Sequence, residues 1–142
     1  TETSLMQDID SSYQTLLDIR NTGVSISIDD FGTGYSSLSH LKRLPLNTLK
    51  IDKSFIRDIA SDRNDAAIVG ATIAMARHMD LKVVAEGVTA PAQVRFLIEH
   101  ACHEMQGYLF SPPLPAAEMG LMLEKGLSRG YDYIGGSVLA MW

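Results

Sequence analysis

Apolar residues recur along this chain in two rhythms. Four short runs alternate apolar with polar or small positions: Val24–Ile28, Thr48–Ile51, Leu81–Ala85 and His103–Gly107. A period of two is the signature of strands, whose successive side chains point to opposite faces. Between and around these runs the period lengthens to that of a helix. Leu5, Ile9, Tyr13, Leu16, Leu17 and Arg20 share one helical face, with Gly23 placed to end it. Ser36–Arg43 predicts a short helix that stops before Pro45. Asp65–Asp80 is rich in alanine and sets Ile68, Thr72, Met75 and Met79 on one stripe. Thr89 stands where an N-cap belongs, with Pro91 just inside and Val94, Leu97, Ile98 and Ala101 facing a core. Ala116–Lys125 is the last helical segment. Strand and helix alternating at this spacing predict βα units, a parallel sheet and an α/β fold.

The polar residues sort onto this frame. Alternation puts Val24, Ile26 and Ile28 on one face of the first strand, and Ser25, Ser27 and Asp29 on the other. Lys50 and Asp52 likewise oppose Leu49 and Ile51, while Glu86 ends the third strand and Gln106 the fourth. All four strands therefore finish in polar or charged groups. In a βα barrel, ligands and chemistry sit at the C-terminal ends of the strands. Aliphatic residues facing the helices and charges facing a barrel mouth would produce this pattern.

Composition narrows the picture. A chain of 142 residues, 46% hydrophobic and 20% charged, is long and apolar enough for a core of its own. A net charge of −5 without a basic cluster disfavours a nucleic acid polymer as partner. The single cysteine, Cys102, excludes an internal disulfide framework and fits a reducing cytoplasm. No stretch reaches the roughly 18 apolar residues of a membrane span.

The adjacent acids Asp29 and Asp30 pose the sharpest question. They need either a cation to hold or a helix end to cap. With Asp52 and Glu86 they would crowd one mouth, where like charges raise one another's pKa unless a cation sits among them. Oxygen ligands without cysteine or clustered histidine favour Mg2+ or Mn2+ over zinc. Such an ion would let an acidic pocket accept a phosphate, so the residues point to metal-assisted phosphoester chemistry with one or two ions. Lys50 could hold a water, neutralise a phosphate oxygen, or serve as a structural ion-pair partner. Gln106-Gly107-Tyr108 could equally be ordinary packing. The methionines read as core filler, the four histidines share no ligand spacing, and Cys102 reads as a small buried apolar residue.

At these residues the chain resembles a known family. "DDFGTGYSSLSHLKRLPLNTLKIDKSFI", "VVAEGV" and "QGYLFSPPLP", in this order, are similar to the EAL family of cyclic di-GMP phosphodiesterases. The resemblance implies a TIM-barrel-like fold and Mg2+- or Mn2+-dependent hydrolysis of cyclic di-GMP to linear pGpG. It makes Asp29 and Asp30 metal ligands, Asp52 an acid beside a second metal, and Glu86 a catalytic glutamate, as metal ligand or proton acceptor. Lys50 becomes the lysine that holds the catalytic water, and Gln106 a glutamine of the active-site mouth. Phe31, Gly32, Thr33, Gly34, Tyr35, Ser36 and Ser37 match a loop linking metal site, substrate and dimer interface, which Glu2 would anchor.

The chain also departs from the family pattern. It holds no Glu-Ala-Leu tripeptide, and Thr89 stands where a second glutamate is usual. These departures set the expected domain organisation: residues 1–126 as the C-terminal portion of an EAL domain, and 127–142 as an extension that matches no motif. The remaining first-metal ligands are expected before Thr1, so the isolated chain is expected to be inactive. A half-barrel with two open edges is expected to self-associate, as a homodimer or more. A non-catalytic cyclic di-GMP receptor or a protein-interaction module is the other function class.

Overall fold

The structure, a computed structural model, describes residues 9–33, 41–102 and 104–124. The order of elements is α1 (Ile9–Asn21), β1 (Ser27–Phe31), β2 (Thr48–Ile51), α2 (Lys53–Arg57), α3 (Arg63–His78), β3 (Lys82–Ala85), α4 (Pro91–Glu99), β4 (Glu104–Met105) and α5 (Ala116–Glu124). The four strands form one parallel sheet in the order β1-β2-β3-β4. Each parallel step needs a crossover, and the helices supply it for β2 to β3 and β3 to β4.

Register lines the strands up in rows. Ile28, Leu49 and Val83 form one row, and Phe31, Ile51, Ala85 and Met105 another. All seven are buried and join a core with Ile56, Ile59, Val69, Ile73, Ala76, Val94 and Leu97 from the helices. Each fully buried aliphatic side chain contributes about 1.5–3 kcal/mol of transfer free energy. The residues between these rows, including Lys50, Val84 and Glu104, are only half-buried and share the opposite face. The division into an aliphatic face and a polar face is the one alternation predicts.

Several boundaries differ from the sequence reading. The first strand lies three residues later than Val24–Ile28, and Val24 is exposed because it precedes the strand. The fourth shortens to Glu104–Met105. The apolar stripe of α3 is Val69, Ile73 and Ala76, whereas Ile68 is exposed. In an alanine-rich helix several stripes have similar hydrophobicity, and the facing sheet selects among them. The reading missed α2, a single turn capped by Asp52 and anchored by buried Ile56. The α4 N-cap is Ala90, not Thr89, and a side chain three residues on does the capping. Gln93 is almost fully buried. Its Oε1 accepts from the Thr89 and Ala90 amides at 2.7 and 2.9 Å, and its Nε2 donates to the Ile56 and Arg57 carbonyls at 3.1 and 3.0 Å. One amide thus ties the start of α4 to the end of α2. Most of Ser36–Arg43 lies outside the described residues.

The helices α3 and α4 end alike. Met79 and His100 are C-caps, and Asp80 and Ala101 follow at φ 57° and 61°. Leu81 N then donates to Ala76 O and Cys102 N to Leu97 O, closing Schellman motifs that lead straight into β3 and β4. Leu81 and Cys102 are both buried at these ends. Burial pushes the Cys102 thiol up to about 12, against the opposing effect of backbone hydrogen bonds, so it is an inert core group as the sequence suggested.

Candidate metal centre

The acid pair lies inside β1, at an irregularity in the sheet. Ile28 pairs with Leu49 and Phe31 with Ile51, so Asp29 and Asp30 together oppose the single residue Lys50. This is a β-bulge, in which two residues of one strand face one of its neighbour. Asp30 takes φ 56°, a left-handed conformation that aspartate tolerates better than most residues. Thr33 holds the turn beyond it, donating from N and Oγ1 to Asp30 O at 3.3 and 2.9 Å. The extra residue has two results. Both acids come to the same side, and Phe31 returns to the buried row.

The other polar residues reach this point from the neighbouring strands. Lys50 Nζ donates to Asp29 Oδ1 at 2.9 Å and pairs with Glu86 Oε1. Gln106 Nε2 donates to the same Glu86 oxygen at 2.8 Å. An unbroken polar chain therefore crosses the whole sheet: Asp29, Lys50, Glu86, Gln106. Burial alone would lower the Lys50 pKa. The ammonium's hydrogen bonds to Glu86 and Asp29, with their charges, outweigh it and hold the Lys50 pKa above its usual value.

Asp29, Asp30 and Glu86 each offer a carboxylate oxygen, and these lie within 4.8 Å of one another. Oxygens that close suit a small hard cation, whose ligands stand about 2.0–2.6 Å from it. The donor set is all carboxylate, half-buried and open to solvent, so the residues present fit Mg2+ or Mn2+ better than zinc. Asp52 stands apart from this trio. Its Oδ1 accepts from Ser54 N at 2.9 Å and also from Ser54 Oγ, capping α2. Burial would raise its pKa, but these bonds, with one from Lys53 N, hold the carboxyl below the usual range. Of the loop residues, Phe31, Gly32 and Thr33 follow the bulge. Glu2, Gly34, Tyr35, Ser36 and Ser37 lie outside the described residues.

Sequence reading missed the bulge and the cap. A left-handed aspartate leaves no trace in hydrophobic periodicity. The Asp-Lys-Ser order at 52–54 is an N-cap signal, but it was masked by the attraction of grouping Asp52 with the other acids. Beside Gln106 and Gly87 lies a cleft of ≈ 360 Å3, also lined by Met105, Tyr108, Phe110, Pro113 and Met119.

The chain is similar to known proteins in both sequence and fold. The EAL domain family model matches residues 1–113. Over 119 residues, 84% of the chain, the sequence is 56% identical to the cyclic di-GMP phosphodiesterase NbdA of Pseudomonas aeruginosa, and it spans 15% of that protein. The EAL domain of Mycobacterium smegmatis DcpA superposes with a TM-score of 0.80 at 47% identity, over 86% of this chain and 55% of that one. A manganese and cyclic di-GMP complex of Klebsiella pneumoniae BlrP1 superposes with a TM-score of 0.74 at 35% identity, over 79% of this chain and 29% of that one. The chain thus spans about half the length of a solved EAL domain.

Proposed function

Since the chain belongs to the EAL domain family, we propose that it carries the acid-bearing part of a site that hydrolyses cyclic di-GMP to linear pGpG with Mg2+ or Mn2+. The observation that carries this reading is the convergence of Asp29, Asp30 and Glu86 around Lys50. Further support comes from the cyclic di-GMP phosphodiesterase and the manganese complex among its relatives.

Each residue has a part. Asp29, Asp30 and Glu86 would hold the metal, and Asp52 would contribute its carboxylate near a second ion in the complete domain. When bound, the ions supply positive charge to a phosphate that the acids alone would repel, and they acidify water enough to attack at neutral pH. Lys50, whose ammonium sits between Asp29 and Glu86, would orient the attacking water, and Glu86 would serve as metal ligand or proton acceptor. Gln106 fixes one Glu86 oxygen by donating to it. The apolar cleft beside Gln106 suits a flat base of the dinucleotide.

The test has two parts. The 142-residue chain should bind Mn2+ in a calorimetric titration, and Asp29→Asn or Asp30→Asn should abolish most of that binding. In a polypeptide carrying the complete domain, Lys50→Ala and Glu86→Gln should lower kcat by about 10²–10⁴-fold with little change in KM. The 142-residue chain by itself should show no turnover. An unchanged Mn2+ titration in Asp29→Asn would overturn the assignment. Binding of cyclic di-GMP without cleavage by the complete domain would make it a receptor instead.

A further inference from the structure

The acids of the trio come from two different strands, Asp29 and Asp30 from within β1 and Glu86 from just past β3, and one short element touches the chain a little after each. That element is α2. On one side, Gly32 follows Asp30 by two residues at φ 101° and lies against the Phe55 ring. A Cβ at Gly32 would stand 2.8 Å from Phe55 Cε2. On the other side, Gly87 follows Glu86 directly at φ 71° and lies against Lys53. A Cβ there would stand 2.5 Å from Lys53 Cβ and 3.3 Å from its Cα. Real Cβ atoms almost never come closer than about 3.0 Å to another heavy atom, so neither loop leaves room for a side chain against α2 without a shift, and the Gly87 backbone lies against the Lys53 backbone itself.

The helix cannot yield easily. Its first turn is held by the Asp52 cap on Ser54. Its last carbonyls, Ile56 O and Arg57 O, accept from buried Gln93. Ile56 between them is fully buried. A body fixed at both ends, with one acid-bearing loop on each flank, sets the distance between those loops.

We propose that α2 is a positioning spacer: through Phe55 against Gly32 and Lys53 against Gly87 it fixes the separation of Asp29 and Asp30 from Glu86, and so the affinity for the ion. Neither Phe55 nor Gly87 supplies a ligand atom, so both act through the residues that do. The inference rests on the reading of the trio as a metal site. It also gives the two glycines a physical reason. At both positions a side chain would run into α2.

The experiment titrates Mn2+ alone into the 142-residue chain by calorimetry and follows the unfolding midpoint of each variant without metal. Phe55→Ala removes the ring that Gly32 rests on, and Gly87→Ala pushes the Glu86 loop off Lys53. Each should weaken Mn2+ binding roughly 10- to 100-fold, the range found when groups that orient metal ligands are removed. Phe55→Leu, which keeps most of the bulk, should recover much of the affinity. Ile73→Val, a core truncation in α3 away from both contacts, should lower the unfolding midpoint and leave the titration as in the parent. Wild-type affinity in Phe55→Ala, or an equal loss in Ile73→Val, would overturn the spacer. A parent chain that binds no Mn2+ would overturn the metal-site reading and this inference with it.

Discussion

Two neighbouring acids in a regular strand point to opposite faces, so Asp29 and Asp30 could not serve one ion without an irregularity. The bulge opposite Lys50 supplies it, and the left-handed Asp30 backbone is its cost, about 1–2 kcal/mol for a residue with a Cβ. The convergence of the trio was legible in the sequence because each acid lies at or near the C-terminal end of its strand, and parallel strands end on the same side. The division of labour within it was not. Asp52 reads as an equal member, yet its Oδ1 is committed to the α2 cap. Two substitutions separate cap from charge. Asparagine keeps the cap without the charge, so Asp52→Asn should lower the unfolding midpoint less than Asp52→Ala, which should cost about 1 kcal/mol. Mn2+ affinity in Asp52→Asn should fall less than in Asp29→Asn or Asp30→Asn, because Asp52 stands outside the trio. An unfolding midpoint lowered equally in both variants would show that the cap geometry contributes nothing beyond the charge. The depressed Asp52 pKa has a consequence of fixed sign. Its stabilising effect is complete above the ordinary aspartate range and is lost as pH falls through the lower folded value.

At the scale of elements, β2 and β3 match their predicted spans closely, because a buried strand between two turn signals has little room to slide. The edge strands match less well. β1 runs on into its own acids, and β4 keeps only two residues. Periodicity records where apolar side chains are, and at a sheet edge it does not record where pairing stops. The missed α2 is a single turn, too short to show a helical period, and it is held by tertiary contacts such as buried Ile56 and the Gln93 bonds. The Schellman ends of α3 and α4 were illegible for a different reason. Glycine usually marks that position, and here Asp80 and Ala101 occupy it. Alanine at φ 61° carries a strain that glycine would not. Ala101→Gly should therefore stabilise the chain by about 1 kcal/mol and raise the midpoint by about 3–6 °C, with Mn2+ binding unchanged. A lower midpoint would mean that the Ala101 methyl makes contacts worth more than the backbone strain.

At the scale of the molecule, the described residues form one sheet of four strands in the order β1-β2-β3-β4, whereas a βα barrel closes with about eight. Among the described residues, β1 and β4 each pair with one neighbour only. An unpaired edge presents rows of N–H and C=O groups to any strand that can add to it. Exposed apolar residues accompany the β4 side. Tyr108 is 71% exposed beside the cleft, and Leu123 is 66% exposed four residues on from Met119, on the same side of α5. A partner laid along β4 would cover both, and a second copy of this chain offers a matching edge and matching apolar residues. The 142-residue chain should therefore run as a dimer or larger species in light scattering at micromolar concentration. Leu123→Lys should shift it toward monomer, since a charge placed in an apolar contact must be desolvated or expelled. Leu121→Lys, on a different side of the same helix, should have a smaller effect. In a polypeptide carrying the complete domain, the rest of the fold would compete for the same edge and the self-association should disappear. A compact monomer in the short chain, unaffected by Leu123→Lys, would overturn the pairing of copies through the β4 edge.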